Sequence, residues 1–246
     1  MKTKDEIREE VWQRLRKVAY PDSRFDYDFS NFIPDFRNSE KCAARISMMP
    51  EYKDAKLLFI TPDNSLTNIR KLALMEGKKY VMSTYGIRRG FLFFDGGKVS
   101  KTKAHFMATL DGAEIFGKRL SLKELSDLKQ IDVLITGAAA VTMDGIRVGK
   151  GHGFFDVEWG IFTELKMIND KTITITVVDD SQIVDYPFQP SEYDTITDYI
   201  ITPTRMIKVK SKYKKPFGIK WDTLKRELYD TIPPLQELAK LRNVKI

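Results

Sequence analysis

Apolar residues recur along this chain in two alternating rhythms, and the alternation predicts a fold class. Ile7, Val11, Leu15 and Val18 fall at helical spacing, which predicts an amphipathic helix over residues 4–19 that Pro21 stops. Asn38-Ser39 reads as the cap of a second helix carrying Cys42, Ala43, Ala44 and Ile46. Lys56-Leu-Leu-Phe-Ile-Thr61 is a short apolar run ended by Pro62 and reads as a strand. Leu66 to Glu76 returns to helical spacing and closes at Gly77, and Lys79-Tyr-Val-Met-Ser83 is again a strand. Ser121 and Glu124 form a capping box for a helix near Ser121–Leu128. Asp132-Val-Leu-Ile-Thr136 reads as a buried strand, Phe154 to Ile168 as a helix, and Thr172 to Val178 and Asp198 to Thr202 as further strands. Strands alternating with helices predict an α/β fold, a mainly parallel sheet covered on both faces. No internal repeat or low-complexity linker divides residues 1–246, so a single domain is expected.

Composition narrows the function classes. An apolar fraction of 42% with 15 Phe can fill a large core and argues against global disorder. One cysteine, Cys42, excludes an intramolecular disulfide, and two histidines, His105 and His152, are too few for a histidine-based metal cluster. The start of the sequence is dense in charge and lacks the apolar stretch of a secretion signal, and no apolar run approaches bilayer length. A soluble cytoplasmic protein without membrane contact is therefore expected. The formal charge is +7, and Arg205–Lys215 carries six basic residues with no acidic one. That segment reads either as a patch for weak nucleic-acid or other polyanion contact, or as a solvated edge strand guarded by lysines.

The stretch GIRVGKGHGFFD, Gly145 to Asp156, is the most unusual passage. It is expected to lie between the buried strand at 132–136 and the following helix, where open α/β sheets place ligands. Gly149, Gly151 and Gly153 leave backbone amides bare, the helix adds the positive end of its dipole, and Arg147 and Lys150 add formal charge. The spacing fits neither the Walker loop nor the dinucleotide fingerprint. It reads as an anion cradle of unspecified type, or as a structural tight turn. Asp156, at the start of the helix, is favoured there by the dipole alone, and beside bound phosphates it could hold Mg²⁺. Phe154 and Phe155 offer a flat apolar wall, and His152 could donate to a phosphate.

These residues resemble the glycine-rich signature of the 5-formyltetrahydrofolate cyclo-ligases, or methenyltetrahydrofolate synthetases, of the form G-x-R-x-G-x-G-x-G-Y-Y-D. Lys4 and Arg8 match the family's N-terminal basic pair, Asp194 to Thr202 resembles its D-x-x-x-D-x-I-x-T strand, and Lys215 to Trp221 its late P-x-G-I-x-W turn. The resemblance implies a three-layer α/β/α sandwich similar to sugar-phosphate isomerases and coenzyme A transferases. It implies ATP- and Mg²⁺-dependent conversion of 5-formyltetrahydrofolate to 5,10-methenyltetrahydrofolate through phosphorylation of the formyl oxygen. Carried over by match, Lys4, Arg8, Gly149, Lys150, Gly151, His152, Gly153 and Phe154 would bind ATP. Arg147 and Lys150 would serve catalysis, and Asp156 would hold Mg²⁺. Lys4 and Arg8, four residues apart on one helix face, repel each other until a polyanion lies between them.

Three positions depart from the pattern. The paired tyrosines are Phe154 and Phe155, the histidine before the D-x-x-x-D strand is Tyr193, and the acid of an E-V-x-T motif gives way to Asn64-Ser-Leu-Thr67. Downstream stands Thr84-Tyr-Gly-Ile-Arg-Arg-Gly90, so Arg88 and Arg89, with Phe155, are the candidate substrate-binding residues. The chain looks most like the divergent branch that includes the methenyltetrahydrofolate synthetase domain-containing proteins. Three functions follow as expectations: the cyclo-ligase itself, the same chemistry on another acidic acceptor, or RNA recognition through Arg205–Lys215.

Overall fold

The computed structural model describes residues 2–186 and 189–244. Its helices are α1 (Lys4–Leu15), α2 (Ser39–Met48), α3 (Pro50–Asp54), α4 (Thr67–Met75), α5 (Ala104–Met107), α6 (Leu110–Phe116), α7 (Leu122–Asp127), α8 (Phe154–Glu164), α9 (Arg226–Thr231) and α10 (Pro233–Arg242). Its strands are β1 (Leu58–Ile60), β2 (Lys79–Ser83), β3 (Phe91–Asp95), β4 (Lys118–Leu120), β5 (Val133–Gly137), β6 (Ala140–Thr142), β7 (Arg147–Val148), β8 (Ile173–Val177), β9 (Ile183–Val184), β10 (Tyr199–Ile201) and β11 (Met206–Lys208).

Among the described residues the main sheet runs β11-β10-β8-β5-β1-β2-β3-β4. The five strands from β10 to β2 are mutually parallel, while β11 on one side and β3 and β4 on the other pair antiparallel. Alternation along β1 shows why both faces are covered. Leu58 and Ile60 pack with Ile46, Ile69 and Ala73 from α2 and α4, and Phe59 packs with Phe162, Leu125 and Leu235 from α8, α7 and α10. Three layers result, as the alternation predicts. No helix of the described residues is long and apolar enough to cross a membrane.

From β1 the chain steps to β2 on one side and later to β5 on the other, so the order reverses between β1 and β5. Ligands bind outside the carboxyl ends of strands at such a reversal. Thr61 to Asn64 follow β1, Ser83 ends β2 with Tyr85 and Gly86 after it, and Gly137 ends β5; all of these face one crevice.

Several expectations change in detail. The first helix ends at Leu15 rather than residue 19, and α8 at Glu164 rather than Ile168. Asn38 precedes α2 with φ 66°, and its side chain makes no capping bond. The glycine stretch does not follow β5 directly. A hairpin, β6-β7, intervenes and pairs with β9 in a second, three-stranded sheet. Gly145, with φ 87°, forms that hairpin's turn, where a Cβ would meet the Thr197 carbonyl at 2.7 Å. The small sheet carries α1: Ile7 and Val11 pack on Ala140, Val148 and Val184, which brings Lys4 and Arg8 beside the remaining glycines. The basic segment begins as edge strand β11; Arg205 pairs with Asp180 and Lys215 with Asp198.

Candidate active site

With the hairpin in place, the glycine loop proper is Gly149 to Gly153. Gly151 has φ 116°, and Gly153, at the N-cap of α8, has φ 70°, conformations that favour glycine. A Cβ on Gly149 or Gly153 would meet nothing within 4 Å, so open space lies directly above the backbone. The loop's position is fixed from two sides. Arg8 Nε donates to the Gly149 carbonyl at 2.7 Å, and Lys150 Nζ donates to the Asn31 carbonyl at 2.7 Å. Tyr85 Oη donates to the same carbonyl at 2.8 Å, and His152 Nε2 lies 3.2 Å from the Ser30 carbonyl. Residues 30–31 are thus a strut that holds the loop over the crevice.

Two lobes flank the loop. The larger, about 300 Å³, is lined by Lys4, Arg8, Tyr193, Asp194, Lys220 and Lys225, together with Pro216, Gly218 and Ile219 of the late turn. Lys4 Nζ reaches both oxygens of Asp194, at 2.7 and 2.8 Å. The smaller, about 80 Å³, lies over the strand ends and is lined by Asp63, Asn64, Ser83, Tyr85, Lys150, Phe154, Phe155 and Glu158. Arg147, Gly149, His152, Gly153 and Asp156 line both. Cations outnumber acids in the first lobe; the second carries aromatic rings and three carboxylates, balanced by Arg24, Arg147 and Lys150.

The shared wall is electrostatically tense. Arg147 is 6% exposed; its Nη2 stands 3.6 Å from Asp156 Oδ1, its Nη1 donates to the Gly137 carbonyl at 3.2 Å, and it lies 4.1 Å from the Phe155 ring centroid. Burial lowers its pKa, opposed by Asp156. Burial raises that of Asp156, opposed by Arg147 and by the Thr195 amide, which donates to Oδ1 at 2.8 Å. Burial lowers that of Lys150 as well, opposed by Asp63 and Glu158, and its Nζ sits 4.8 Å above the Tyr85 ring. Glu158 is pushed up to about 8 by burial. Each of these costs suits a site completed by a charged ligand. A single carboxylate beside bare amides and a polyanion lobe fits Mg²⁺, which takes one or two carboxylates with phosphate oxygens and water. Among the described residues no group of three His, Cys, Asp or Glu side chains could hold a metal by itself.

The loop residues and the N-terminal basic pair singled out from the sequence therefore meet here: Lys4, Arg8, Arg147, Gly149, Lys150, Gly151, His152, Gly153, Phe154, Phe155 and Asp156. Arg88 and Arg89 do not. Both are exposed and outside either lobe's lining, because Gly86 and Ile87, at φ 62° and 58°, turn the chain away, and Arg89 pairs with Glu114. The sequence reading missed Asp63, Tyr85 and Glu158. A lone glutamate within the apolar run of α8 was the available signal.

Comparison with known proteins agrees with this geometry. The 5-formyltetrahydrofolate cyclo-ligase family matches over residues 1–203. Curated relatives include the methenyltetrahydrofolate synthase domain-containing proteins of Danio rerio, 29% identical over 97% of this chain, and of Homo sapiens, 29% identical over 96%. The chain spans 62% and 61% of their respective lengths. Among solved structures, 5,10-methenyltetrahydrofolate synthetase from Aquifex aeolicus covers 90% of this chain and 99% of its own, with a TM-score of 0.52 and 16% identity, which supports the shared fold. By its matched residues, its three-layer fold and its glycine loop, this chain belongs to the 5-formyltetrahydrofolate cyclo-ligase family.

Proposed function

We propose that this protein is an enzyme that uses Mg²⁺-ATP to activate a reduced folate, converting 5-formyltetrahydrofolate to 5,10-methenyltetrahydrofolate. One observation carries the reading: the same five residues, in the loop and at its two ends, line a cationic lobe and an aromatic lobe. A transferable phosphoryl group held at that wall is within reach of an acceptor on its other side. Phosphoryl transfer asks mainly for such positioning and for charge neutralisation.

In this reading Lys4, Arg8 and the amides of Gly149 to Gly153 grip the triphosphate. Lys150 faces the γ-phosphoryl group and Arg147 stabilises charge developing there. Asp156 would hold Mg²⁺, which when bound neutralises phosphate oxygens. Phe154, Phe155 and Tyr85 wall the acceptor ring. The formyl oxygen attacks the γ-phosphorus and ADP leaves. The N10 nitrogen then attacks the activated carbon and closes the five-membered ring, its proton is lost, and phosphate departs with the former formyl oxygen to leave the methenyl group.

The test is direct. Protein, Mg²⁺-ATP and 5-formyltetrahydrofolate are mixed and the absorbance of the methenyl product is followed. Product that forms with the parent protein and disappears in Lys150→Ala and Asp156→Ala supports the reading. Nucleotide binding without folate turnover would overturn its acceptor half.

A further inference from the structure

The acceptor lobe contains a group that the loop does not use. Three carboxylates line it: Asp63, Asp156 and Glu158. Two are already engaged. Asp63 Oδ2 accepts from the Gly137 amide at 2.9 Å and from the Thr61 hydroxyl at 2.5 Å. Asp156 Oδ1 accepts from the Thr195 amide and faces Arg147. Glu158 is 2% exposed, and among the described residues no cation lies within ion-pair distance of it; the group beside it is the Ser83 hydroxyl. Burial by itself favours its neutral form, and N–H donors placed against it would favour the carboxylate, which accepts up to about four hydrogen bonds, few of them met within the fold. Burial of such a group is costly unless a partner completes it.

The acid that the family pattern puts at the start of the helix after the first strand is Asn64 here. Its Nδ2 donates to Asp22 at 2.8 Å, so that amide is engaged within the fold. The lobe's unengaged acid comes instead from α8, half a turn beyond Asp156. We propose, on the reading of the site given above, that Glu158 selects the acceptor by receiving two parallel N–H bonds from a 2-amino-4-oxopyrimidine edge, beside the rings of Tyr85 and Phe154. A ligand without those donors leaves the carboxyl desolvated and unpaired, which is the strongest form of discrimination a polar pocket offers.

The experiment pairs a ligand truncation with a protein substitution. Binding of 5-formyltetrahydrofolate, of pterin and of its 2-desamino analogue pteridin-4-one is measured by calorimetry on the parent protein and on Glu158→Gln, with Mg²⁺-ATP binding and thermal melting alongside. The parent protein is expected to prefer pterin over the 2-desamino analogue by about tenfold or more. Glu158→Gln is expected to lose that preference while Mg²⁺-ATP binding is unchanged. The ligand comparison on the parent protein stands even where the variant folds poorly. A parent protein that binds both pteridines alike, or neither, overturns the inference, as does a variant that keeps the preference. Absence of 5-formyltetrahydrofolate binding alongside a retained, Glu158-dependent pterin preference would instead sink the proposed reaction and leave this assignment standing.

Discussion

Arg147 and Asp156 face each other across 3.6 Å at the wall between the two lobes, the arginine side chain 5% exposed and the aspartate 21%. Removing one partner of a buried pair leaves the other's charge uncompensated, a loss of about 3–5 kcal/mol. Partial exposure of Asp156 favours the lower end. Asp156→Asn should therefore lower the Tm by about 6–12 °C for a chain of this size, and abolish turnover. Arg147→Lys keeps the charge but loses the Nη1 bond to the Gly137 carbonyl and the stack on Phe155, and is expected to retain little turnover and a lowered Tm. Melting curves with and without Mg²⁺-ATP check both variants.

Gly149 separates folding from binding. A Cβ there meets nothing within 4 Å, and its φ is outside the left-handed region, so the fold has no use for the missing side chain. The space above it is what the triphosphate would fill. Gly149→Ala is expected to melt within about 2 °C of the parent protein, since surface changes of this kind stay near 0.5 kcal/mol. Its Mg²⁺-ATP affinity should nonetheless fall about tenfold or more, because a methyl group displaces the phosphate from the amides. Equal affinity in the two proteins would place the triphosphate elsewhere.

Asp22 is the strut for two residues of the acceptor lobe. It accepts from Arg24 Nε at 3.1 Å and Nη2 at 3.0 Å, and from Asn64 Nδ2 at 2.8 Å. Against burial, which acts to raise it, these bonds hold its pKa down at about 2. A carboxylate depressed on folding stabilises the native state above its unfolded pKa, near 3.8, and loses that contribution as pH falls toward 2. Urea unfolding of the parent protein should lose about 2 kcal/mol from this group between pH 5 and pH 2. Asp22→Asn should be less stable at pH 5 and should show a correspondingly shallower acid loss.

Alternation of apolar runs made the layer order legible, and β2, β5 and β8 come within a residue of their expected limits because their apolar and β-branched residues run without interruption. What escaped was short or locally ambiguous. Phe91-Leu-Phe-Phe-Asp95, read as no element, is β3, antiparallel to β2 and followed by the glycine pair Gly96-Gly97. The β6-β7 hairpin could not be seen either, since Gly145 looked like part of one long phosphate loop rather than a turn demanded by the Thr197 carbonyl. At the site, residues that act through backbone chemistry and charge spacing were readable in order along the chain. Asp63 and Glu158 were not, because they meet only where β1, β5 and α8 converge, and a buried carboxyl announces itself by its surroundings rather than by a motif.

Lys150 offers the sharpest test of the loop as an anion grip. Its Nζ is held by the Asn31 carbonyl and lies above the rings of Tyr85 and Phe154, at 4.8 and 5.6 Å from their centroids. Burial sets its pKa below the ordinary 10.5. A lysine depressed in this way penalises the fold below that pKa, and the penalty is released as pH rises toward 10.5. Lys150→Met should therefore be at least as stable as the parent protein at pH 7. A bound triphosphate favours the ammonium and raises its pKa again, so binding above the depressed value must take up a proton. Mg²⁺-ATP affinity of the parent protein should then fall as pH climbs through that value toward 10.5, by at most tenfold per pH unit for one proton. His152, whose pKa is lowered by burial and by Lys150, is already neutral there and adds no slope. In Lys150→Met the affinity should be lower at pH 7 and lack this component of the slope, and the two proteins should converge at high pH. Calorimetry in buffers of different ionisation heat counts the protons; Glu158, pushed up to about 8, titrates in the same range and contributes to both proteins, so an uptake equal in the parent and in Lys150→Met would remove this lysine from the phosphate contact.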